Sequence, residues 1–449
     1  MIKDKRTLVA DTPSQIDSQV VISGWVKTRR DHGKLIFLDL RDRSGVVQIV
    51  VNPKVSEKAY KEASELKPEF VVEITGTVKK RPPATINKDS KTGEVEIEAQ
   101  EIFIISKAET LPFEIDSAEL NLELPTLLDN RSLTLRNSKV SAIFKVQQVI
   151  VQSFRNTLSL EGFTEIFVPT IVKSATEGGA EVFGVDYYDK KAYLAQCPQL
   201  YKQIVVGVYE RVFTIAHAYR AEPSTTTRHL SEYISMDAEM GFINSWEDLM
   251  DMTEKVISNI LIDVSKLEIG NVPQIKTKIP RIKLVEAQET IFKRTGVDHR
   301  KEPDLDPQDE KEICKWAQEQ TGAPFVFVTH YPISKRPFYT MPDAESSGLT
   351  LSFDLLGFNE EWVTGGQRIN DYQMLLDRIK EKGNDAQDFD IYLQAFKYGM
   401  PKEGGFAMGV ERITRNILGL ANIREASLFP RDMERIDERF SKKTQEKDK

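Results

Sequence analysis

Two cysteines in 449 residues, Cys197 and Cys314, are too few for a disulfide framework or a four-cysteine zinc site. No apolar run approaches the roughly 20 residues that a membrane-spanning helix needs. The start, Met1-Ile2-Lys3-Asp4-Lys5, lacks the apolar stretch of a secretory signal, so a cytoplasmic protein with no membrane partner is expected. A formal net charge of -8 argues against indiscriminate nucleic-acid binding and leaves room only for a local basic surface. No internal repeat is evident. What is present is an ordinary soluble composition, 40% hydrophobic and 29% charged, on a chain long enough for two or more domains.

Residues 20 to 106 read as five short strands, Val20–Val26, Lys34–Leu40, Val46–Val51, Phe70–Val78 and Glu94–Ile105, with a polar helical stretch at Ser56–Leu66 between the third and fourth. That order matches an OB-type barrel, a fold that commonly carries nucleic acid. Ala108 to Asn130, with Pro112 and Pro125, has the mixed polarity of a linker. Apolar residues at helical spacing (Val140, Ile143, Phe144, Ile150, Val151, Phe154) predict a long amphipathic helix over Ser138–Leu160, which opens a second domain. A turn at Glu161-Gly162 and a strand ending at Pro169 follow. The tail from Glu438 is charged, and disorder is expected there.

The most informative stretch is Tyr219 to Met240. From Tyr233 the pattern alternates strictly, with Tyr233, Ser235, Asp237 and Glu239 on one face and Ile234, Met236, Ala238 and Met240 on the other. One face suits a core, the other a binding floor or a solvated sheet surface. The preceding strand, Phe213–Glu222, puts Arg220 and Glu222 on one face, and Arg228 and His229 stand at the far end of the loop Pro223–Thr227. Two guanidiniums and an imidazole near one hairpin tip suit a triphosphate, because Arg offers a planar fork to phosphoryl oxygens. A second cluster, Gly404-Gly405-Phe406-Ala407-Met408-Gly409-Val410-Glu411-Arg412, leads into a helix at Ile413–Leu420. Small residues there let a ligand approach the backbone, although alone such a cluster reads rather as a plain turn. The third element is a hairpin, Phe353-Asp354-Leu355-Leu356, a turn at Gly357 to Glu360, then Glu361-Trp362-Val363-Thr364. A four-residue turn sets Leu356 opposite Glu361 and Asp354 diagonally across on the same face. Two such carboxylates, with no Cys or His nearby, suit magnesium rather than zinc, or are simply solvated.

Gly162–Pro169, Tyr219–Glu239 and Gly404–Arg412 resemble the three signature motifs of class II aminoacyl-tRNA synthetases, in order and at family-like distances. The N-terminal barrel resembles that of the subgroup charging aspartate, asparagine or lysine. The resemblance spans about residues 18 to 435 and implies an α+β chain. Its parts are an OB-fold anticodon-binding domain (1–107), a linker (108–135), a catalytic antiparallel sheet flanked by helices (136–437) and a charged tail (438–449). It further implies a homodimer built on the motif around Pro169, with ATP as substrate and Mg2+ as cofactor. Arg220, Arg412 and Glu361 would be the catalytic residues. Arg220 would hold the α-phosphate, Arg228 and His229 the outer phosphates and Arg412 the γ-phosphate side. Tyr233 would stack on adenine, and Glu222, Leu230, Glu361 and Gly409 complete the ATP site. Asp354, Glu361 and Thr364 would hold the metal.

For the amino acid, Gln196-Cys197-Pro198-Gln199-Leu200-Tyr201-Lys202-Gln203 resembles the aspartyl enzymes, although serine is commoner at the Cys197 position, and the chain's length, with no extra domain between the second and third motifs, resembles their archaeal and eukaryotic type. There Lys202 and Arg368 would bind the side-chain carboxylate of L-aspartate, with Asp237 orienting Lys202. Two cations aimed at one pocket favour an acid over its amide. Glu177, in the glycine-bearing flap Thr176–Ala180, would meet the substrate ammonium with help from Gln199, and Thr364 belongs to the same pocket. In the barrel, Phe37 would stack on an anticodon base, Gln48 would read its edge, and Arg29, in the basic loop Lys27–Arg30, would meet phosphate. A barrel-core position for Phe37 is the alternative. The implied activity is aspartate–tRNA ligase, acting on tRNA(Asp) with tRNA(Asn) left open. The alternatives are an asparaginyl enzyme of the same architecture and a catalytically silent RNA-binding paralogue.

Overall fold

The structure, a computed structural model, describes residues 6–117, 119–174, 182–223, 226–270, 272–437 and 439–440, which form two compact units, 1–120 and 121–449. Among the described residues no helix is long and apolar enough to cross a membrane.

In the first unit β1 (Gln19–Asp31), β2 (Ile36–Asp42), β3 (Gly45–Val51), β4 (Val71–Lys80) and β5 (Val95–Ser106) close into a barrel of order β1-β2-β3-β5-β4. Alternation does the sorting: Val20, Ile22, Val26, Ile36, Leu38, Leu40, Ile49 and Ile74 point inward and are at most 3% exposed. Helix α1 (Glu57–Glu65) starts where the Ser56 hydroxyl accepts the Ala59 amide at 3.1 Å. The basic stretch Lys27–Arg30 is not a loop, as expected, but the second half of β1. A register shift between Val26 and Thr28 absorbs one residue, and pairing with β2 then resumes.

The second unit opens with short helices α2 (Leu124–Asp129) and α3 (Arg131–Thr134), inside the stretch read as a linker. Arg131 is buried and donates to the carbonyls of Glu425, Ser427 and Leu428, so this segment is bound to its own unit. Helix α4 (Ser138–Leu160), capped by the Asn137 side chain, precedes β6 (Thr164–Glu165). A small antiparallel sheet follows, β7 (Ile171–Val172), β8 (Gly184–Tyr187) and β9 (Lys190–Leu194), then α5 (Gln199–Tyr209). The long hairpin is β10 (Arg211–Tyr219) and β11 (Glu232–Gly241), followed by α6 (Glu247–Ser265), β12 (Arg281–Lys283), α7 (Leu284–Thr295), α8 (Pro307–Thr321) and β13 (Phe325–Thr329). Strands β14 (Ser352–Gly357) and β15 (Glu360–Gln367), helices α9 (Tyr372–Glu381) and α10 (Asp390–Lys397), β16 (Glu403–Gly409) and α11 (Val410–Leu418) complete it.

Eight strands form one sheet of order β12-β13-β14-β15-β16-β11-β10-β6, antiparallel except at its two ends. Residues from α4 (Val146, Ile150, Phe154) and α6 (Val256, Ile260) pack with Met236, Ala238, Met240, Phe406 and Met408 on one face. At roughly 1.5–3 kcal/mol for each large apolar side chain buried, that layer supplies the main cohesion of the unit and leaves the other sheet face for chemistry.

Candidate functional site

The uncovered sheet face lines a cavity of about 330 Å³. Gln199, Arg220, Glu222, Arg228, His229, Leu230, Tyr233, Asp237, Glu361, Thr364, Arg368, Gly409 and Arg412 all contribute to its wall, although they are scattered over more than 200 positions. Lys202 and Asp354, expected in the same site, are not on the wall. Glu177, and the flap around it, lie outside the described residues, as does the tail beyond Phe440.

At one end stand the arginines. The Arg220 amide donates to the Ser231 carbonyl at 2.9 Å, which extends the β10–β11 ladder by one rung, and its guanidinium lies 5.8 Å from the Tyr233 ring centroid. Gly409 lies beside the Tyr233 ring: a Cβ added there would sit 4.0 Å from it, an ordinary van der Waals contact. Arg228 pairs with Glu310 of α8 at 3.2 Å and with Glu360 at 3.6 Å, and Arg412 donates to the Glu361 carbonyl at 2.7 Å and its carboxylate at 3.4 Å. Glu310, absent from the sequence reading, has its pKa pushed up to about 7 by burial and then by the charge of Glu361, against the pull of Arg228 and Arg412. Glu411 likewise rises to about 7 through burial, while its carboxylate accepts the Ile234 amide and ties α11 to β11.

Burial lowers the pKa of His229; Glu222 opposes the shift, and Arg412, Arg220 and Arg228 reinforce it. The imidazole is therefore neutral at pH 7 despite lying 3.7 Å from Glu222, with Nδ1 2.7 Å from the Thr226 hydroxyl. A polyanion bound among these arginines offsets their share of the depression and adds negative charge beside the ring, so the pKa rises and a proton is taken up. Calorimetry of ATP binding in buffers of different ionisation enthalpy is expected to show that uptake, larger as pH falls toward about 6.5, and smaller in His229→Gln. Equal uptake in both proteins assigns the proton elsewhere.

The β14–β15 hairpin turns through Phe358 and Asn359, both at positive φ (53° and 74°), and Phe358 stacks on Trp362 at 5.2 Å. Leu356 pairs with Glu361, but a bulge then shifts the register so that Leu355 opposes Val363 and Asp354 opposes Thr364. Trp362 and Val363 both enter the core, and Glu361 and Thr364, three positions apart, reach the cavity together. A plain strand would have sent them to opposite faces. Burial first, then the charge of Asp354, raises the pKa of Glu361. Asp354 is 5% exposed and is occupied by Arg336, whose guanidinium donates to its Oδ2 at 2.8 Å and to the Thr364 hydroxyl at 3.2 Å.

At the other end Lys202 is fully buried beneath the floor, with Nζ 2.9 Å from Asp237 and 3.1 Å from Glu239. Desolvation lowers its pKa, but Asp237 and Glu239 outweigh it, and the net shift is upward. Lys202, expected to bind the substrate carboxylate, is off the cavity wall: it lies on α5, behind Asp237, which does line the cavity. The cation on the wall is Arg368, which donates to Glu239 at 2.7 Å and to the Gly405 carbonyl at 3.2 Å. Glu239 thus bridges the two cations. Gly405 permits this, since a Cβ there would come within 2.2 Å of the Glu239 carboxylate. Burial, then repulsion from Glu239, pushes Glu403 well above the carboxylate range, so the cluster balances two cations against two anions. Glu239 was legible only as one member of an alternating face.

On the barrel, Phe37 stands outside the core, directly opposite Arg30 in register, with the His32 ring edge-on at 5.5 Å. Gln48 opposes Asp39, donates to Glu96 at 2.9 Å and accepts from Arg81. Arg29 is registered against buried Leu38, on the opposite side of the strand pair from Phe37, whereas Arg30 pairs with Phe37 itself and Arg81 bonds Gln48.

Comparison with known proteins matches residues 123–433 to the tRNA synthetases class II (D, K and N) and residues 20–105 to the OB-fold nucleic acid binding domain. An aspartate–tRNA(Asp/Asn) ligase of Thermus thermophilus is 42% identical over 439 residues, covering 96% of this chain and 99% of that protein. An aspartate–tRNA(Asp) ligase of Pyrococcus horikoshii is 38% identical, covering 93% and 96%. Among solved structures, asparaginyl-tRNA synthetase from Pyrococcus horikoshii complexed with asparaginyl-adenylate superimposes with a TM-score of 0.87 at 31% identity, over 97% of this chain and 100% of that one.

Proposed function

This chain belongs to the class II tRNA synthetases of the aspartate, lysine and asparagine group, and from that premise we propose that it activates L-aspartate with ATP and esterifies it to tRNA(Asp). The observation that carries the choice of aspartate is the cation at the Asp237 end of the cavity: Arg368 lines the wall there, and Glu239 connects it to Lys202 behind. An acid side chain can accept a charge-assisted hydrogen bond from that guanidinium on both oxygens, whereas a neutral amide offers it a single uncharged acceptor.

In the reaction the aspartate carboxylate attacks the α-phosphorus, pyrophosphate leaves, and a hydroxyl of the tRNA's terminal ribose then takes the aspartyl group. Neither step needs a covalent nucleophile from the protein. Arg220 and Arg412 hold the reacting phosphates in line and offset developing charge, Tyr233 carries adenine, and Asp237 and Gln199 receive the ammonium. Glu361 and Thr364 offer oxygen donors on the cavity wall, and this hard donor set suits magnesium. Bound there, the ion would neutralise phosphate charge.

Phe37, Gln48 and Arg30 make the barrel face that receives unpaired anticodon bases. Phe167 and Leu160, each 86% exposed near the first motif, suit a homodimer surface. A cytoplasmic location accords with these substrates. Charging purified tRNAs bearing GUC and GUU anticodons with labelled aspartate and asparagine tests the whole reading. Aspartate on the GUC tRNA is the expected product, and aspartate on both marks a non-discriminating enzyme. A preference for asparagine overturns the reading of Arg368.

A further inference from the structure

Arg336 has no part in the function derived so far, yet its side chain, 14% exposed, lines the cavity beside Glu361 and Thr364. Three groups hold it still. Its two terminal nitrogens donate to Asp354 Oδ2 at 2.8 Å and to the Thr364 hydroxyl at 3.2 Å, and its guanidinium carbon lies 4.0 Å from the centroid of the buried Tyr331 ring. The guanidinium therefore fills the space between the two oxygens that a divalent ion shared by Asp354 and Thr364 would need. Asp354 is nearly buried and absent from the wall, while Arg336 is on it. The acid faces the arginine, and the arginine faces the cavity.

Resting on the ATP reading above, we infer that Arg336 is a further phosphate-binding residue, fixed in place by Asp354, and that Asp354 is the counter-ion of Arg336 rather than a metal ligand. A guanidinium stacked on an aromatic ring and bonded to a carboxylate is preorganised, so it can receive phosphoryl oxygens with little further ordering. Its remaining charge is directed at the ligand because Asp354 is held on the far side. The Oδ1 atom of Asp354 is buried with no hydrogen-bond partner in the structure and is the atom through which the opposing outcome, direct metal ligation, would act.

Two measurements on the full chain decide this. In EDTA, with no divalent ion present, ATP binding to Arg336→Met is expected to weaken about tenfold, as for loss of a charge-assisted hydrogen bond, with Arg336→Lys between it and wild type. Manganese bound to the ATP-loaded protein, counted by electron paramagnetic resonance, is expected to be unchanged in Asp354→Asn and reduced in Glu361→Gln. Undiminished metal-free ATP affinity in Arg336→Met overturns the role of Arg336. Manganese loss in Asp354→Asn as large as in Glu361→Gln overturns the role of Asp354. If Glu361→Gln alone leaves manganese unchanged, the magnesium assignment fails while the metal-free titration still decides Arg336. Should Arg336→Met not fold, Arg336→Lys and Asp354→Asn carry both measurements.

Discussion

Replacing Arg220 by alanine is expected to slow aspartate-dependent pyrophosphate exchange by about 10²–10³-fold, the loss typical of removing one preorganised donor to developing charge, while aspartate binding changes little. The asymmetry follows from place. Arg220 sits at the end of β10 among Glu222, Tyr233 and the other phosphate-end arginines, whereas Arg368 and Asp237 stand at the opposite end of the floor. An interaction that strengthens as charge builds at the α-phosphorus lowers the barrier and not the affinity for the amino acid. Exchange near the wild-type rate in Arg220→Ala removes this residue from the chemistry.

Lys202→Met is expected to be the most damaging single change outside the cavity wall. It leaves Asp237 and Glu239, both at most 1% exposed, short of one of their two cations. Removing one partner of a buried ion pair costs about 3–5 kcal/mol, which for a unit of this size lowers the melting temperature by roughly 4–7 °C. Aspartate activation falls as well, because Glu239 also positions Arg368. A lysine that merely touched the substrate would raise KM for aspartate and leave the melting temperature alone. Thermal melts and exchange kinetics on the same variant separate the two, and an unchanged melting temperature refutes the buried-cluster account.

The fold was legible wherever a period could be counted. Alternation in β11 sorts Tyr233, Asp237 and Glu239 from Met236, Ala238 and Met240, and the apolar stripe of α4 predicts its buried face, because these patterns depend only on backbone geometry. The glycines around Gly405 mark a close approach by their composition. Arg336 was not legible: it precedes Pro337 in an irregular segment, with no periodicity to assign it a face, and its partners lie 18 and 28 positions away. The β15 bulge was missed for a related reason. A shift of one residue leaves little local trace, yet it sends Glu361 and Thr364 to the same face.

By itself the sequence determined two domains, the barrel order, the family's motifs and most of the cavity's residue types, since each is written in short-range spacing. Only the tertiary structure decided which charges line the cavity and which stand behind its wall. Lys202 and Arg368 look equivalent as letters, but burial and the bridging carboxylate of Glu239 put one under the floor and the other on the wall. Charge pairing across β11, α5 and β15 is a property of three-dimensional neighbours, and no one-dimensional pattern encodes it.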